Sequence, residues 1–277
     1  MTLTCSHAGR RRQTSSQTAL FMDQPCTKTQ GTVADILIYR EKRIKGNTAV
    51  PGIIYSICDL SAVSLCRLLI EYIIFSFMEP TVYLLLSAVV AYLVGSFSTA
   101  IVTCKLMGLE DPRSGGSNNP GATNVLRLGG KKAAIITLIG DMLKGLIPVL
   151  AVSLLFDDDR ATALAALFAF LGHVFPVYYG FRGGKGVATF YGAVLAISWQ
   201  TGLVALLIWL AMAAITKISS LSALVSIFCT PFILWYISQS MALTLASAMM
   251  SLIVFWRHKK NIRSILQGSE PRIGQKK

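Results

Sequence analysis

The sequence predicts an all-α, polytopic integral membrane protein with about seven transmembrane helices, some of them short. Of its 277 residues, 53% are hydrophobic and only 14% are charged, and the mean hydropathy is +0.59. The apolar residues form long segments that are separated by short polar connections. Lys and Arg number 26 against 13 Asp and Glu, an excess that is typical of cytoplasmic loops in so apolar a chain. Disordered chains, collagen-like repeats and soluble basic DNA-binding domains are therefore disfavoured.

Residues 1–77 differ in character from the rest of the chain. The first 50 mix polar and basic side chains with little periodicity, and they do not resemble a secretory signal. Residues 53–77 are apolar but carry three side chains that are costly at membrane depth, namely Asp59, Arg67 and Glu71. We expect either that residues 1–77 are an extension outside the fold or that Met78 is the natural start. Residues 78–277 are predicted to form the membrane domain.

Seven apolar segments follow Met78. A helix needs about 20 residues to cross a hydrocarbon core of ~30 Å, since each residue adds ~1.5 Å. The first three segments satisfy this length, whereas the fourth is short enough to be half-buried or re-entrant. We predict seven crossings, with five as the alternative. The segments are 81–104, 133–156, 161–180, 187–198, 201–216, 219–237 and 240–256.

Charges in the connections predict how the helices are oriented. Three connections are basic: residues 105–132, the loop with Arg182 and Lys185, and the tail after the last segment. Basic connections tend to stay in the cytoplasm, so all three are expected on that face. Residues 157–160 are net acidic and fit the opposite face. Seven crossings that start outside satisfy all of these placements, and five or six satisfy them less well.

The first basic connection has a composition that suits phosphate. It reads GGSNNPGATNVLR from Gly115 to Arg127 and is dense in glycine, hydroxyl and amide groups. Glycines let successive backbone N–H groups converge on an anion, and Arg127 supplies a planar fork that pairs with phosphate. The alternative is a polar turn that caps the next helix, with Ser117 or Asn119 as the N-cap.

The second glycine-rich connection reads GFRGGKGV from Gly180 to Val187. Its glycines flank Lys185 immediately before an apolar helix, so a phosphate can sit at the helix N-terminus beneath an ammonium group. The glycine spacing is not that of a Walker A loop, and Gly186 stands where that loop has Ser or Thr. The alternative is a basic anchor at the membrane interface.

The tail and two positions within the spans add titratable groups. The tail begins WRHKKNIR, and on a helix that continues from the last span His258 and Asn261 share one face. Stop-transfer basic residues are the alternative interpretation. His173 lies at the end of the third span, and a lone histidine at such a position is more often a hydrogen-bonded structural residue than a catalytic one. Asp141 and Lys144 in the second span can neutralise each other, which indicates a mainly structural pair.

Motifs that would predict a metal are absent from the sequence. It has no HExxH motif, no Asp-x-x-Asp pair of metal-dependent alcohol phosphotransferases, and no His-x-x-x-x-Asp pair of soluble and monotopic acyltransferases. The six cysteines lack CxxC spacing and predict neither a zinc site nor a disulfide framework. We therefore expect phosphate to be bound by protein donors from three stretches on one membrane face, without a metal or a cofactor.

Five motifs, in order along the chain, resemble those of one enzyme family. They are GSF at 95–97, DPR at 111–113, GSNNPGATN at 116–124, GHVFP at 172–176 and FRGGKGVAT at 181–189. The pattern resembles the bacterial acyl-phosphate:glycerol-3-phosphate acyltransferase family (PlsY) and covers essentially all of 78–277. Two positions depart from it: Asn118 stands where the family usually has Gly, and Ser98 where it often has Pro. Asn tolerates a positive φ better than most residues, so the loop at Asn118 is expected to adopt one.

The resemblance implies a seven-helix enzyme of the bacterial inner membrane with its active site on the cytoplasmic face. Such an enzyme transfers a fatty acyl group from acyl phosphate to the 1-hydroxyl of glycerol 3-phosphate, releasing phosphate and lysophosphatidic acid. It also implies partners: the two substrates, membrane lipids and a soluble enzyme that makes acyl phosphate, with no nucleic acid. Carried over by motif, the catalytic residues are Ser117, Arg127, Lys185 and His258. The substrate-binding residues are Gly116, Asn119, Gly121, Thr123, Asn124, His173, Arg182, Gly183, Gly184, Gly186, Ser220 and Asn261.

Acyl phosphate is already activated, so the reaction needs no covalent enzyme intermediate. Orientation and electrostatic stabilisation by Arg127 and Lys185 are expected to supply most of the acceleration. In one hypothesis a phosphate accepts the hydroxyl proton, and in the other His173 or His258 is the general base. Two other functions stay open: an organic-phosphate transporter, and an acyltransferase that uses acyl-CoA or acyl carrier protein.

Overall fold

The computed structural model describes residues 80–274, which contain α-helices, one short 3-10 helix at Val177–Tyr179 and loops, without a β-strand. The proposed extension at 1–77 lies outside the described residues, so its separation from the fold stays a prediction. The helices are α1 Pro80–Gly95, α2 Thr99–Leu106, α3 Ala122–Phe156, α4 Asp159–Val174, α5 Val187–Ile197, α6 Trp199–Thr216, α7 Ser219–Ser238, α8 Met241–Arg257 and α9 Lys259–Leu266.

The all-α polytopic class is confirmed, since each of the seven predicted apolar segments is helical over most of its length. Within the described residues, five helical stretches are long and apolar enough to cross a membrane, and α8 with α9 makes a sixth if the bent pair is one span. The eleven-residue α5 rises only about 16 Å and cannot cross alone, as its short segment predicted. The five stretches are Thr81–Leu106, Ala122–Phe156, Asp159–Tyr179, Trp199–Thr216 and Ser219–Ser238.

Two boundaries differ from the sequence prediction. Helix α3 begins at Ala122, so the expectation that residues up to 132 form a loop is wrong for the last eleven of them. Hydropathy detects only the apolar part of this helix, because its first turns are polar and a kink at Gly130 (φ +74°) separates the two parts. The first predicted segment is also interrupted at residues 96–98, between α1 and α2.

Helix α4 is the central helix of the bundle and packs against α1, α3, α5 and α8. Its buried face is rich in alanine, and at Gly172 an added Cβ would overlap the Tyr92 carbonyl and the Ser96 amide of the α1 end. Small residues allow membrane helices to approach closely, which is how packing is gained where lipid is as apolar as the side chains. Phe170 and Phe190 fill the core around this crossing.

A polar cluster lies inside this helical packing. The Asp141 and Lys144 side chains are 2.9 Å apart, which confirms the predicted pairing. Lys144 Nζ also donates to the Phe97 carbonyl (2.8 Å), and the Thr99 hydroxyl donates to Asp141 Oδ1 (2.5 Å). The Thr189 hydroxyl donates to the Asp141 backbone carbonyl (2.8 Å). The interruption between α1 and α2 therefore has a physical reason, since it brings a carbonyl and a hydroxyl to the buried ion pair.

Candidate functional site

The first glycine-rich loop is held in shape from below by one buried amide. Asn124, only 1% exposed, donates from Nδ2 to the carbonyls of Pro112 (2.9 Å) and Gly115 (3.0 Å). Its Oδ1 accepts the Ser117 backbone N–H (2.8 Å). The structure thus places Asn124 beneath the loop, with both amide hydrogens and its oxygen used by loop backbone. We describe it as a residue that positions the loop.

The same loop does not cap α3 through a side chain. The N-cap is Gly121, with an extended backbone, so the alternative in which Ser117 or Asn119 is the N-cap is wrong. Asn118 has φ +54°, the positive value expected there. The loop and the first turns of α3 present an exposed surface at Gly116, Ser117, Thr123 and Arg127, with Asn119 half-buried.

The second glycine-rich loop lies directly against the first. Gly184 donates its N–H to the His173 carbonyl (3.2 Å), and a Cβ at Gly184 would overlap the His173 imidazole and crowd the Pro120 carbonyl. The Arg257 guanidinium, from the end of α8, donates to the carbonyls of Gly183 (2.7 Å) and Gly184 (3.2 Å). Glycine is required here because the loop passes between α4 and the first loop with no room for a side chain.

The loop that contains Lys185 leads directly into helix α5. Gly186 is the N-cap of α5 with φ +89°, so the backbone turns into α5 immediately after Lys185, as the glycine spacing predicted. Arg182 in the same loop is exposed. Gly184 lies against Pro120 of the first loop, and Arg257 at the start of the tail bonds Gly183. The three predicted stretches, two loops and the tail, therefore meet at one end of the bundle.

Lys185 is the first member of a chain of hydrogen bonds that joins four parts of the sequence. Its Nζ donates to Asn261 Oδ1 on α9 (2.6 Å), and Asn261 Nδ2 donates to Glu270 Oε1 (2.6 Å). The same carboxylate oxygen accepts the hydroxyl of Ser220 in the first turn of α7 (2.6 Å). Three of these side chains were predicted from the sequence, and the structure brings them together.

Glu270 is the member that the sequence analysis missed. It follows α9 in a segment fixed by the hydrogen bond from the Ile273 amide to the Lys217 carbonyl (2.7 Å). A signal was present in the sequence, because Glu270 is the single acidic residue after residue 160. A lone carboxylate in a long basic and apolar stretch indicates a partner, although the sequence does not say which cation or hydroxyl it meets.

The electrostatics of the cluster favour an anion. Burial lowers the pKa of Lys185 below its ordinary value, an effect that the Glu270 carboxylate opposes. The positive charges of Arg127 and Arg257 lower the pKa of Lys185 further, so both guanidinium groups lie within electrostatic reach of the ammonium. Among the described residues, Arg127 has no hydrogen-bond or ion-pair partner. Three cations and one carboxylate leave a surplus of positive charge at this end of the bundle.

Among the described residues, neither histidine is hydrogen-bonded to Lys185, Asn261 or Glu270. His258 is buried where α8 ends, its Nδ1 lies 2.8 Å from the Val254 carbonyl, and α9 leaves at 61°. The expectation of one continuous helix that carries His258 and Asn261 is therefore wrong. His173 Nδ1 is buried without a hydrogen-bond partner, 3.7 Å from Asp141 Oδ1. In residues 80–274, no group of three His, Cys, Asp or Glu is arranged to hold a metal ion.

Comparison with known proteins places this geometry in a family. The family model described as glycerol-3-phosphate acyltransferase matches residues 85–268. The chain is 55% identical over 195 residues to the glycerol-3-phosphate acyltransferase of Thioalkalivibrio sulfidiphilus, which covers 70% of this chain and 96% of that protein. It is 48% identical over 196 residues to the corresponding protein of Ruthia magnifica subsp. Calyptogena magnifica, with 71% and 100% covered.

Two crystal structures of PlsY (YgiH), an integral membrane glycerol 3-phosphate acyltransferase, share this fold. The glycerol 3-phosphate form is 35% identical, with a TM-score of 0.66 over 69% of this chain and 96% of that one. The lysophosphatidic acid form is 34% identical, with a TM-score of 0.65 over 69% and 95%. The bundle, the two apposed glycine loops and these likenesses lead to one conclusion: the chain belongs to the glycerol-3-phosphate acyltransferase family of integral membrane enzymes.

Proposed function

We propose that the enzyme takes its acyl group from acyl phosphate and places it on the 1-hydroxyl of glycerol 3-phosphate. The products are lysophosphatidic acid and inorganic phosphate. The observation that carries this proposal is the apposition of the two glycine-rich loops, with Arg127 and Lys185 within electrostatic reach of each other. Related crystal structures that are described as glycerol 3-phosphate and lysophosphatidic acid forms support the same acceptor and product.

Lys185 and Arg127 are the groups suited to hold the phosphate of the donor. The Lys185 ammonium has three N–H donors and spends one on Asn261, which leaves two for an anion. Arg127 offers its planar fork from the first turns of α3, and Ser117 in the preceding loop adds an exposed hydroxyl. Ser220 and Asn261 both donate to Glu270, and Asn261 also accepts from Lys185, so these two side chains fix the surroundings of the ammonium.

The reaction then proceeds without a covalent enzyme intermediate. The 1-hydroxyl oxygen attacks the acyl carbonyl carbon, the bond from that carbon to the phosphate oxygen breaks, and phosphate leaves with the electron pair. Lys185 and Arg127 stabilise the charge that moves onto the leaving oxygen, and the fixed loops supply orientation. A phosphate oxygen accepts the hydroxyl proton. His173 and His258 are weaker candidates for this role, because both imidazoles are buried and His258 Nδ1 faces a backbone carbonyl.

The orientation in the membrane follows from the loop charges. We place the end with Lys185 and Arg127 on the cytoplasmic face of the bacterial inner membrane, where basic loops are retained. The acidic connection around Asp158 lies at the other end of α3 and faces the opposite side. A cytoplasmic site meets soluble glycerol 3-phosphate directly and can receive acyl phosphate from a soluble enzyme that makes it.

A donor comparison with purified protein tests the proposal. The protein is given glycerol 3-phosphate with acyl phosphate, acyl-CoA or acyl carrier protein in turn, and lysophosphatidic acid is measured. We expect product with acyl phosphate alone, and loss of that product in a Lys185→Met variant but not in a Lys131→Met variant. Product formed only from a thioester would overturn the donor assignment. Flux of glycerol 3-phosphate into vesicles without ester formation would instead support an organic-phosphate transporter.

A further inference from the structure

The short helix α9 turns away from α8 at the end of the bundle and packs against α7 and α8. It begins at Lys259, directly after α8, and is bent by 61° from the direction of α8. One side of α9 faces the protein, where Ile262 and Ile265 line an apolar groove of about 500 Å³ together with Phe255 of α8. The helix is therefore amphipathic and is packed by its apolar side onto the loop end of the bundle.

The other side of α9 carries positive charge that nothing in the described protein neutralises. Lys259, Lys260 and Arg263 are exposed, α9 contains no acidic residue, and none of the three forms an ion pair among residues 80–274. Charge of one sign on an exposed helix face complements a surface of the opposite sign.

Exposed apolar side chains beside these cations indicate that the surface they complement is a lipid membrane. Leu252 and Trp256, on the last turns of α8, are 70% and 52% exposed, and Leu266 at the end of α9 is 83% exposed. The Lys259 ammonium lies 5.9 Å from the Trp256 ring. An exposed tryptophan beside a lysine, between a lipid-facing helix and a basic surface helix, is the arrangement of the lipid headgroup layer.

We propose that α9 is an interfacial helix whose Lys259, Lys260 and Arg263 bind anionic lipid headgroups, and that this contact holds the site in its active arrangement. The second half of this statement rests on the proposed function. Asn261 stands between Lys260 and Arg263 in the sequence of α9, and its side chain bonds both Lys185 and Glu270 (2.6 Å each). Any displacement of α9 from the membrane surface therefore moves a residue that fixes Lys185. Asn261 is therefore a positioning residue that couples the binding of lipid by α9 to the position of Lys185.

The test compares the full chain in nanodiscs of neutral phosphatidylcholine with discs that contain 30% phosphatidylglycerol. Three proteins are used: wild type, the triple variant Lys259→Gln/Lys260→Gln/Arg263→Gln, and the control Lys105→Gln/Lys131→Gln/Lys132→Gln. The control removes the same charge from three exposed lysines on α2 and α3. Acyltransfer and the amide hydrogen exchange of residues 259–266 are both measured at physiological salt.

We expect anionic discs to raise the activity of wild type and of the control about fivefold or more and to slow exchange in 259–266. In the triple variant both responses should be lost, while activity in neutral discs stays within about twofold of wild type. Exchange that is unchanged by lipid charge in wild type would overturn the proposal. So would a triple variant that is stimulated normally, or one that loses activity equally in both discs, which would show that these side chains affect the site independently of lipid charge.

The two readouts separate this inference from the donor assignment. If acyl phosphate yields no product in either disc, the proposed function fails, yet hydrogen exchange still reports whether α9 binds anionic lipid. If exchange responds to lipid charge and activity does not, α9 is an interfacial helix but its coupling to Lys185 is wrong.

Discussion

Two charged clusters of this protein are built on opposite rules. Inside the bundle, the Lys144 ammonium meets the Asp141 carboxylate and the Phe97 carbonyl, so the charges cancel. At the loop end, Lys185 lies near two guanidinium groups and only one carboxylate, so positive charge is left over. The first arrangement suits an environment where an unpaired charge is costly. The second leaves a charge for a ligand to neutralise.

The comparison shows that charged side chains in this protein have two separable roles. A neutralised buried pair contributes to holding α2, α3 and α5 together and has no surplus charge to offer a substrate. A surplus at the end of the bundle contributes little to packing, and we propose that it binds anions. Substitutions in the two clusters should consequently change different observables, stability in one and turnover in the other.

The largest expected effect is on stability, from Asp141→Asn. This change leaves the Lys144 ammonium buried without its counter-ion, which costs about 3–5 kcal/mol when one partner of a buried pair is removed. The thermal midpoint in detergent should fall by many degrees. A double variant, Asp141→Asn/Lys144→Met, removes both charges and should recover most of the loss. If the single and double variants melted alike, the pair would not be the source of the stability.

The next effect is on turnover, from Lys185→Met. This methionine has a similar length but no charge, so the leaving phosphate loses a donor and a cation that act in the transition state. We expect kcat/KM to fall about 100- to 1,000-fold, the scale for loss of one electrostatic stabiliser. Membrane abundance and thermal midpoint should stay close to wild type. A drop in stability comparable to that of Asp141→Asn would erase the distinction between the clusters.

Sequence patterns predicted the two glycine-rich loops because their signals are local. In each loop the glycines stand within a few residues of Arg127 or Lys185. Apolar segments predicted every helix of residues 80–274 that is long enough to cross a membrane, although only the first three segments had adequate length in the sequence. Contacts between distant residues were not predictable in the same way. Lys185 and Asn261 are 76 positions apart, and the bend at His258 occurs in a stretch without Gly or Pro. The buried role of Asn124 likewise depends on carbonyls up to twelve positions away.

The pH dependence of turnover sharpens the comparison at the loop end. Burial and the two nearby guanidinium groups lower the pKa of Lys185, whereas Glu270 raises it. Activity that needs the ammonium should therefore fall on the alkaline side at a pH below the ordinary lysine pKa. In Glu270→Gln, which keeps an acceptor for Ser220 and Asn261 but no charge, the alkaline fall should move to lower pH. A pH–rate profile measures this.

Two controls make that profile specific. Lys185→Arg should lose the alkaline fall altogether, because a guanidinium stays protonated throughout the range. Lys131→Met should keep the wild-type profile. A Glu270→Gln profile that coincides with wild type would show that the carboxylate does not act on the Lys185 charge, and its contact with Asn261 would then be purely structural.

The smallest expected effect is at the opposite end of the bundle, where Asp158 is the N-cap of α4. It accepts the Arg160 backbone N–H (2.7 Å) and the Tyr83 hydroxyl (2.7 Å). Burial raises the pKa of Asp158, but these bonds and the Arg160 charge prevail and lower it to about 2. Asp158→Ala should cost about 1 kcal/mol of stability, the usual scale for a lost cap, and leave kcat and KM unchanged.

The sign of the pH dependence separates this cap from the site. A carboxylate with a lowered folded-state pKa stabilises the fold above its unfolded pKa of about 4, and that stability is lost as the pH falls toward 2. The difference in thermal midpoint between wild type and Asp158→Ala should therefore be full at pH 7 and shrink below pH 4. Asp159→Ala, at an exposed neighbour, should show neither effect. A change in KM for glycerol 3-phosphate in Asp158→Ala would mean that the two ends of the bundle are coupled, and that charge at the cap is not confined to stability.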